Sequence, residues 1–166
     1  MKRKNKIVPF WHPALHKRAR EVEPSEKVDD LIKDMIEVVK EEKGVGLAAP
    51  QIGKRKRVIV IDNGNEKFKA LLNPKIIEKS PEKIIVKEGC LSVSGVWCDI
   101  ERAKRVKVEA ENDSREKIVI EAEDIMAVIL QHEIDHLEGR LFIDNFKFTT
   151  KLKLIITHVF NKQQQP

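Results

Sequence analysis

The sequence predicts an α+β fold, a single domain in which mainly antiparallel strands wrap a central helix bearing the string His132-Glu133-Ile134-Asp135-His136, with further helices near each terminus. Three observations predict it: an early apolar stripe at helical spacing, a succession of short β-branched runs, and a late helix that is apolar nearly all round. A helix, then several strands, then another helix argues against alternating βαβ units. At 166 residues with 41% hydrophobic content, the chain is long enough for one real core and too short for two comfortable domains. Residues 1–166 therefore read as one unit, with a core over about 8–146.

The first helix is predicted from Ser25 to about Lys43, where Val28, Leu31, Ile32, Met35, Ile36 and Val39 form one stripe stopped by Gly44. Strands are expected at Val58 to Ile61, Ala70 to Leu72, Ile84 to Val86, Val106 to Val108 and Ile118 to Ile120, separated by Asn-Gly, Asn-Pro, Ser-Pro or charged turns. Val96, Cys98 and Ile100 alternate as the inner face of a further strand. Asp124 can cap the central helix and Gly139 can end it in the left-handed conformation, giving about four turns. Leu152, Ile155, Ile156 and Val159 make Thr149 to Asn161 an amphipathic C-terminal helix, where His158 reads as a surface or packing residue.

Composition excludes several classes. The basic start Met1-Lys2-Arg3-Lys4-Asn5-Lys6 is followed by an apolar stretch broken by Pro9, His12 and Pro13, so neither a signal peptide nor a membrane span is expected. Two cysteines in an apparently untargeted chain point to a reducing compartment without disulfides, which the cytoplasm provides. A formal charge of +5, with Lys147, Lys151, Lys153 and Lys162 near the C-terminus, would suit a transient encounter with ribosomal RNA. No specific DNA binding is expected.

The chemistry lies in the central string. Residues four apart on a helix differ by roughly 40° around its axis, so His132 and His136 project from one face and can meet one ion. Ile125, Val128 or Ile129, His132 and His136 continue one stripe, and a buried imidazole needs a partner or a metal. Glu133 points too far round to be an equivalent ligand. A carboxylate beside a metal-bound water can take its proton and return it to a leaving amine.

The third ligand decides the hydrolase class. The longer string HExxHxxGxxH is matched through Gly139, but Phe142 stands in place of the third histidine. Downstream of His136 only Glu138 and Asp144 are acidic, so the search turns upstream to Cys90 and Cys98, whose thiolates would suit divalent iron or zinc. Cys90 lies in Glu88-Gly89-Cys90-Leu91-Ser92, where Gly89 allows close backbone approach to a metal or substrate. Cys98 reads as a small buried apolar residue.

Three segments now coincide: Gly44-Val45-Gly46-Leu47-Ala48-Ala49-Pro50-Gln51, Glu88-Gly89-Cys90-Leu91-Ser92, and Gln131-His132-Glu133-Ile134-Asp135-His136-Leu137-Glu138-Gly139. In that order they resemble the signatures GxGLAAPQ, EGCLS and QHExDHLxG of the peptide deformylases. The resemblance implies that Cys90, His132 and His136 hold the metal, that Glu133 is the general acid/base, and that Gln51 with the backbone N–H of Leu91 stabilises the oxyanion. It implies substrate contacts at Gly44, Gly46, Glu88 and Gly89, a methionine pocket at Ile125, Val128 and Ile129, and Arg102 near the peptide cleft. Fe(II) is the implied metal, with Zn(II) as the alternative, and N-formyl-methionyl nascent peptides are the implied substrates, hydrolysed to release formate.

Physical sense supports these roles. Glycines at 44 and 46 let an extended peptide approach as an added strand, and an amide with a backbone N–H can aim donors at a developing oxyanion. Two rivals predict different chemistry: a zincin-type aminopeptidase or endopeptidase with a third Glu, Asp or His ligand, for which Asp144 is a candidate, and a metal-stabilised ribosome-binding module without turnover. Ser94 and Cys98 depart from the resembled pattern, which there has proline and an aliphatic residue, and this bears on the loop from Val93 to Asp99.

Overall fold

The run Val58-Ile59-Val60-Ile61 is buried at every position, because the strand it forms is covered on both faces. In the computed structural model, which describes residues 6–64, 67–147, 149–154 and 156, that strand belongs to a five-stranded antiparallel sheet. In chain order the elements are α1 (Asp29–Glu41), β1 (Gly46–Ala48), β2 (Val58–Asp62), β3 (Phe68–Lys79), β4 (Lys83–Cys90), β5 (Val93–Ala103), β6 (Arg105–Glu111), β7 (Lys117–Glu123) and α2 (Asp124–Leu137). The large sheet has the order β1-β2-β3-β6-β7, and β4-β5 is a separate hairpin. This is the expected α+β arrangement.

Alternation on β2 sorts the core. Val58 and Val60 pack with Met35, Val38 and Val39 of α1, whereas Ile59 and Ile61 pack with Ala127, Leu130, Ile134 and Leu137 of α2. The sheet is thus sandwiched between the helices. Truncating a fully buried side chain such as Leu130 to alanine would cost about 2–5 kcal/mol. The hairpin turns Val93, Val96 and Ile100 onto a third cluster with Leu15, Leu141, Phe142 and Ile143.

Boundaries differ from expectation for identifiable reasons. Helix α1 begins at Asp29, not Ser25, and Val28 precedes it without a side-chain cap. Its stop lies at Lys43, whose φ is 53°, one residue before Gly44. The short run Ala70 to Leu72 extends to Lys79, because Asn73 takes φ 51° and the ladder shifts register between Leu72 and Lys75, absorbing Pro74 without ending the strand. Strand β1 was not anticipated, since Gly-Leu-Ala carries no β-branched residue.

Asp124 starts α2 but makes no side-chain cap and takes φ 52°. Gly139 behaves as expected, with φ 74°, and a Cβ there would lie 2.8 Å from the Lys17 backbone nitrogen. Near the C-terminus the described backbone is helical at 149–154. His158 and Lys162 lie outside the described residues.

Candidate active site

Two strand edges and one helix face enclose the site. Among the described residues β1 is an edge strand, paired only with β2 through Gly46↔Ile61, Leu47↔Val60 and Ala48↔Ile59. Among the described residues β4 pairs only with β5, and its register breaks after Gly89↔Trp97 so that Cys90 pairs with Val93. That irregularity sits beside the thiol, where a bulge re-aims a side chain. Between the edges lies a cleft of about 630 Å³ whose walls include Gly44, Gly46, Gln51, Glu88, Cys90 and Leu91, with Ile125, Val128, Ile129, His132 and Glu133 from α2.

At its floor Cys90 and His132, with His136 buried behind them, offer ligand atoms that all lie within 4.8 Å of one another. Cys90 Sγ is 3.3 Å from His136 Nε2. The two imidazoles stand with centroids 4.9 Å apart and planes at 83°. Two ring nitrogens and a sulfur so spaced match bonds of about 2.0–2.3 Å to one divalent cation. Cys98 is not in this set; it packs beneath the hairpin, and burial raises its thiol pKa. Asp144 is absent from the cluster as well, because its carboxylate accepts from Leu141 N and pairs with Lys151. That removes Asp144 as the third ligand of the peptidase rival.

A chain of charges orients the first imidazole. Glu88 Oε2 accepts from His132 Nδ1 at 2.8 Å, and Arg102 grips the same carboxylate at 2.7 and 3.0 Å while also pairing with Asp135. Burial alone would raise the Glu88 pKa, yet the His132 hydrogen bond and the Arg102 guanidinium outweigh it and hold it at about 2. Burial likewise works against protonation of His132, but hydrogen bonds to Cys90 and Glu88 lift it well above the usual value. His136, buried and facing the charges of His132 and Arg102, is pushed well below. Arg102, only 7% exposed, and Glu88, 6% exposed, stand behind His132, and Glu88 also walls the cleft. Arg102 could not be paired with Glu88 from spacing, since in the register it stands opposite Ile84.

Glu133 is different. It is buried, its Oε2 has no hydrogen-bond partner among the described residues, and burial, with the nearby Glu88 charge adding to it, raises its pKa to about 7. A Cβ at position 46 would lie 2.7 Å from Glu133 Oε1, so Gly46 is required by close approach. Gln51 is held through Ala48 N→Oε1 at 2.8 Å, which turns its Nε2 to Cys90 Sγ at 3.5 Å. Val128 is buried and Ile129 half-buried, but Ile125, expected on the buried stripe, is 59% exposed at the rim. Trp97 was missed; its ring lies over Gly89, where a Cβ would come within 2.9 Å. Asp135 was missed too, although it lies inside the histidine string.

A helix presenting two imidazoles and a buried carboxylate, with a thiol brought from another sheet, defines a metal-dependent amide hydrolase. The polypeptide deformylase family model matches residues 4–152. The chain is 45% identical over 155 residues to the peptide deformylase of Pseudothermotoga lettingae, covering 90% of each. It superposes on the crystal structure of a peptide deformylase from Legionella pneumophila with TM-score 0.88 at 33% identity, covering 98% of this chain and 99% of that one. For the enzyme from Thermotoga maritima the values are 0.79 and 42%, covering 86% and 97%. The chain belongs to the polypeptide deformylase family and is a peptide deformylase by activity, removing the formyl group from N-terminal methionine.

Proposed function

We propose that this chain deformylates nascent peptides in the cytoplasm, with ferrous iron as its resident metal and zinc as the alternative. Thiolate and imidazole donors suit both ions on softness. A divalent cation held by Cys90, His132 and His136 would supply Lewis acidity, making water acidic and offsetting charge on the formyl oxygen. Residues 8–146 would form the working core, with the basic C-terminal stretch, including exposed Lys147 and Lys153, touching the ribosome.

The remaining chemistry falls to side chains. Glu133 takes a proton from the attacking water at its unpartnered Oε2 and delivers it to the departing amine nitrogen, so that water and formamide become formate and a free N-terminus. Gln51 Nε2 and the Leu91 N–H donate to the oxygen that gains charge. The peptide lies extended between the free edges of β1 and β4, near Gly44, Gly46 and Gly89, and its methionine enters the space walled by Ile125, Val128 and Ile129.

One observation carries this reading: a buried carboxylate with an unpartnered oxygen beside a three-ligand cluster at the floor of a cleft. Anaerobically purified protein should release formate from formyl-Met-Ala-Ser and leave acetyl-Met-Ala-Ser intact. Equal cleavage of both, or cleavage within the peptide, would replace deformylation with general amidase or peptidase activity. Loss of turnover in air, restored by added ferrous ion, would support iron; indifference to air and peroxide would favour zinc.

A further inference from the structure

Away from the cleft, the chain gathers cations on two segments bound edge to edge. Residues 17–20 supply Lys17, Arg18 and Arg20, and residues 54–57 supply Lys54, Arg55, Lys56 and Arg57. Arg20 N donates to Arg55 O at 3.1 Å and Arg57 N to Arg20 O at 2.8 Å, while Arg55 reaches the Arg18 carbonyl at 3.3 Å. Ala19 N→Leu137 O at 2.8 Å fastens the first segment to the end of α2. The charge is therefore mounted on ordered backbone.

Acids neutralise only part of it. Glu26 pairs with Arg20 and Lys56, and Glu138 with Arg18 and Arg57. Exposed Glu21 and Glu23 follow Arg20 along the chain. Lys17, Lys54 and Arg55 are exposed and make no ion pair among the described residues. Arg18 and Arg20, although paired, remain 71% and 57% exposed.

An exposed aromatic ring precedes the first of these segments in the chain. Trp11 is 56% exposed, braced edge-on against Phe10 at 5.0 Å, and its neighbour His12 lies beside Gly53, the residue before Lys54. A solvated charged face has no need of an exposed indole. A strand of phosphates carrying unpaired bases uses both, because cations neutralise its backbone and any base can stack on an aromatic face. We propose that this face docks single-stranded RNA, its phosphates held by Lys17, Lys54, Arg55 and the outer guanidiniums of Arg18 and Arg20, with one base stacked on Trp11.

The inference stands apart from the deformylation chemistry and from the C-terminal contact, since none of its residues lines the cleft or lies in that stretch. The test uses the full chain and a fluorescein-labelled oligouridylate, followed by anisotropy across a salt titration. The triple variant Lys17→Glu/Lys54→Glu/Arg55→Glu should bind at least tenfold more weakly, with the slope of log K against log salt smaller by about 2. Trp11→Ala should weaken binding about tenfold without changing the slope, and should abolish the quenching of tryptophan emission by the oligonucleotide. Formate release from formyl-Met-Ala-Ser should be unchanged in both, which shows that they fold. Wild-type affinity in the triple variant would overturn the proposal. So would equal weakening by Lys33→Glu/Lys69→Glu/Lys117→Glu, three exposed lysines elsewhere, or binding to phosphatidylserine vesicles with none to the oligonucleotide.

Discussion

Glu88 Oε2 lies 2.8 Å from His132 Nδ1, and the imidazole is thereby fixed with its other nitrogen free for the cluster formed with Cys90 and His136. Arg102 supplies the counter-charge that keeps Glu88 ionised in a buried place. Orientation of a ligand by a carboxylate, itself held by a guanidinium, extends the site from α2 into the β4–β5 hairpin.

Removing that carboxylate charge should loosen the metal before it loosens the fold. Glu88→Gln is expected to weaken metal affinity about 10- to 100-fold in a chelator competition. Arg102→Leu is expected to be worse for the protein itself, costing about 3–5 kcal/mol in denaturant unfolding, because Glu88 is left buried without its ion-pair partner. If Arg102→Leu unfolds at the wild-type midpoint, the buried pair does not matter to stability.

Glu133→Gln should lower formate release by at least about 10², with metal content retained, since proton transfer is lost but no ligand is. The same variant has a stability signature in metal-free protein. The folded pKa of about 7 lies above the ordinary 4.5, so the folded state holds a proton that the unfolded state has released between those values. Stability is therefore lost as pH rises from 4.5 through 7. At pH 8, metal-free Glu133→Gln should exceed wild type by on the order of 1–3 kcal/mol, and the difference should vanish below pH 4.5. An equal difference at both pH values would show that burial does not perturb this carboxyl.

Gln51→Ala should reduce kcat by about 10²–10³ with little change in KM, as expected when a donor acts on charge that develops only during reaction. A rise in KM alone would make Gln51 a substrate-binding residue instead.

Glu26, bridging Arg20 and Lys56 with only 20% of its side chain exposed, has its pKa lowered to about 2, first by the hydrogen bond from Arg20 and then by that from Lys56. A depressed folded pKa gives stability that is present above 4.5 and lost as pH falls toward 2. Glu26→Gln should unfold earlier than wild type at pH 7, and the two curves should converge near pH 2; divergence that persists there would point to packing rather than charge.

Local pattern made much of this legible. The HExxH spacing, the apolar run before it and Gly139 placed the ligand helix, and the EGCLS segment gave the thiol. What the sequence concealed depended on long-range register. Glu88 and Arg102 meet only because the hairpin brings residue 84 opposite 102, and β1 forms without β-branched residues because β2 supplies a partner edge. Ile125 fits the apolar stripe by periodicity, but the helix begins at the mouth of the cleft, so its first turn faces outward. Asp124 could not be seen to forgo its capping role, since nothing in the local pattern announces its left-handed φ of 52°.

The central claim is that one sulfur and two ring nitrogens from separate elements share a cation. X-ray absorption at the metal edge of anaerobically purified protein tests it most directly. The predicted result is a single sulfur scatterer at about 2.3 Å with nitrogen or oxygen neighbours at about 2.0–2.2 Å, the sulfur shell disappearing in Cys90→Asp and persisting in Cys98→Ser. A first shell of nitrogen and oxygen alone in the wild-type protein would contradict it.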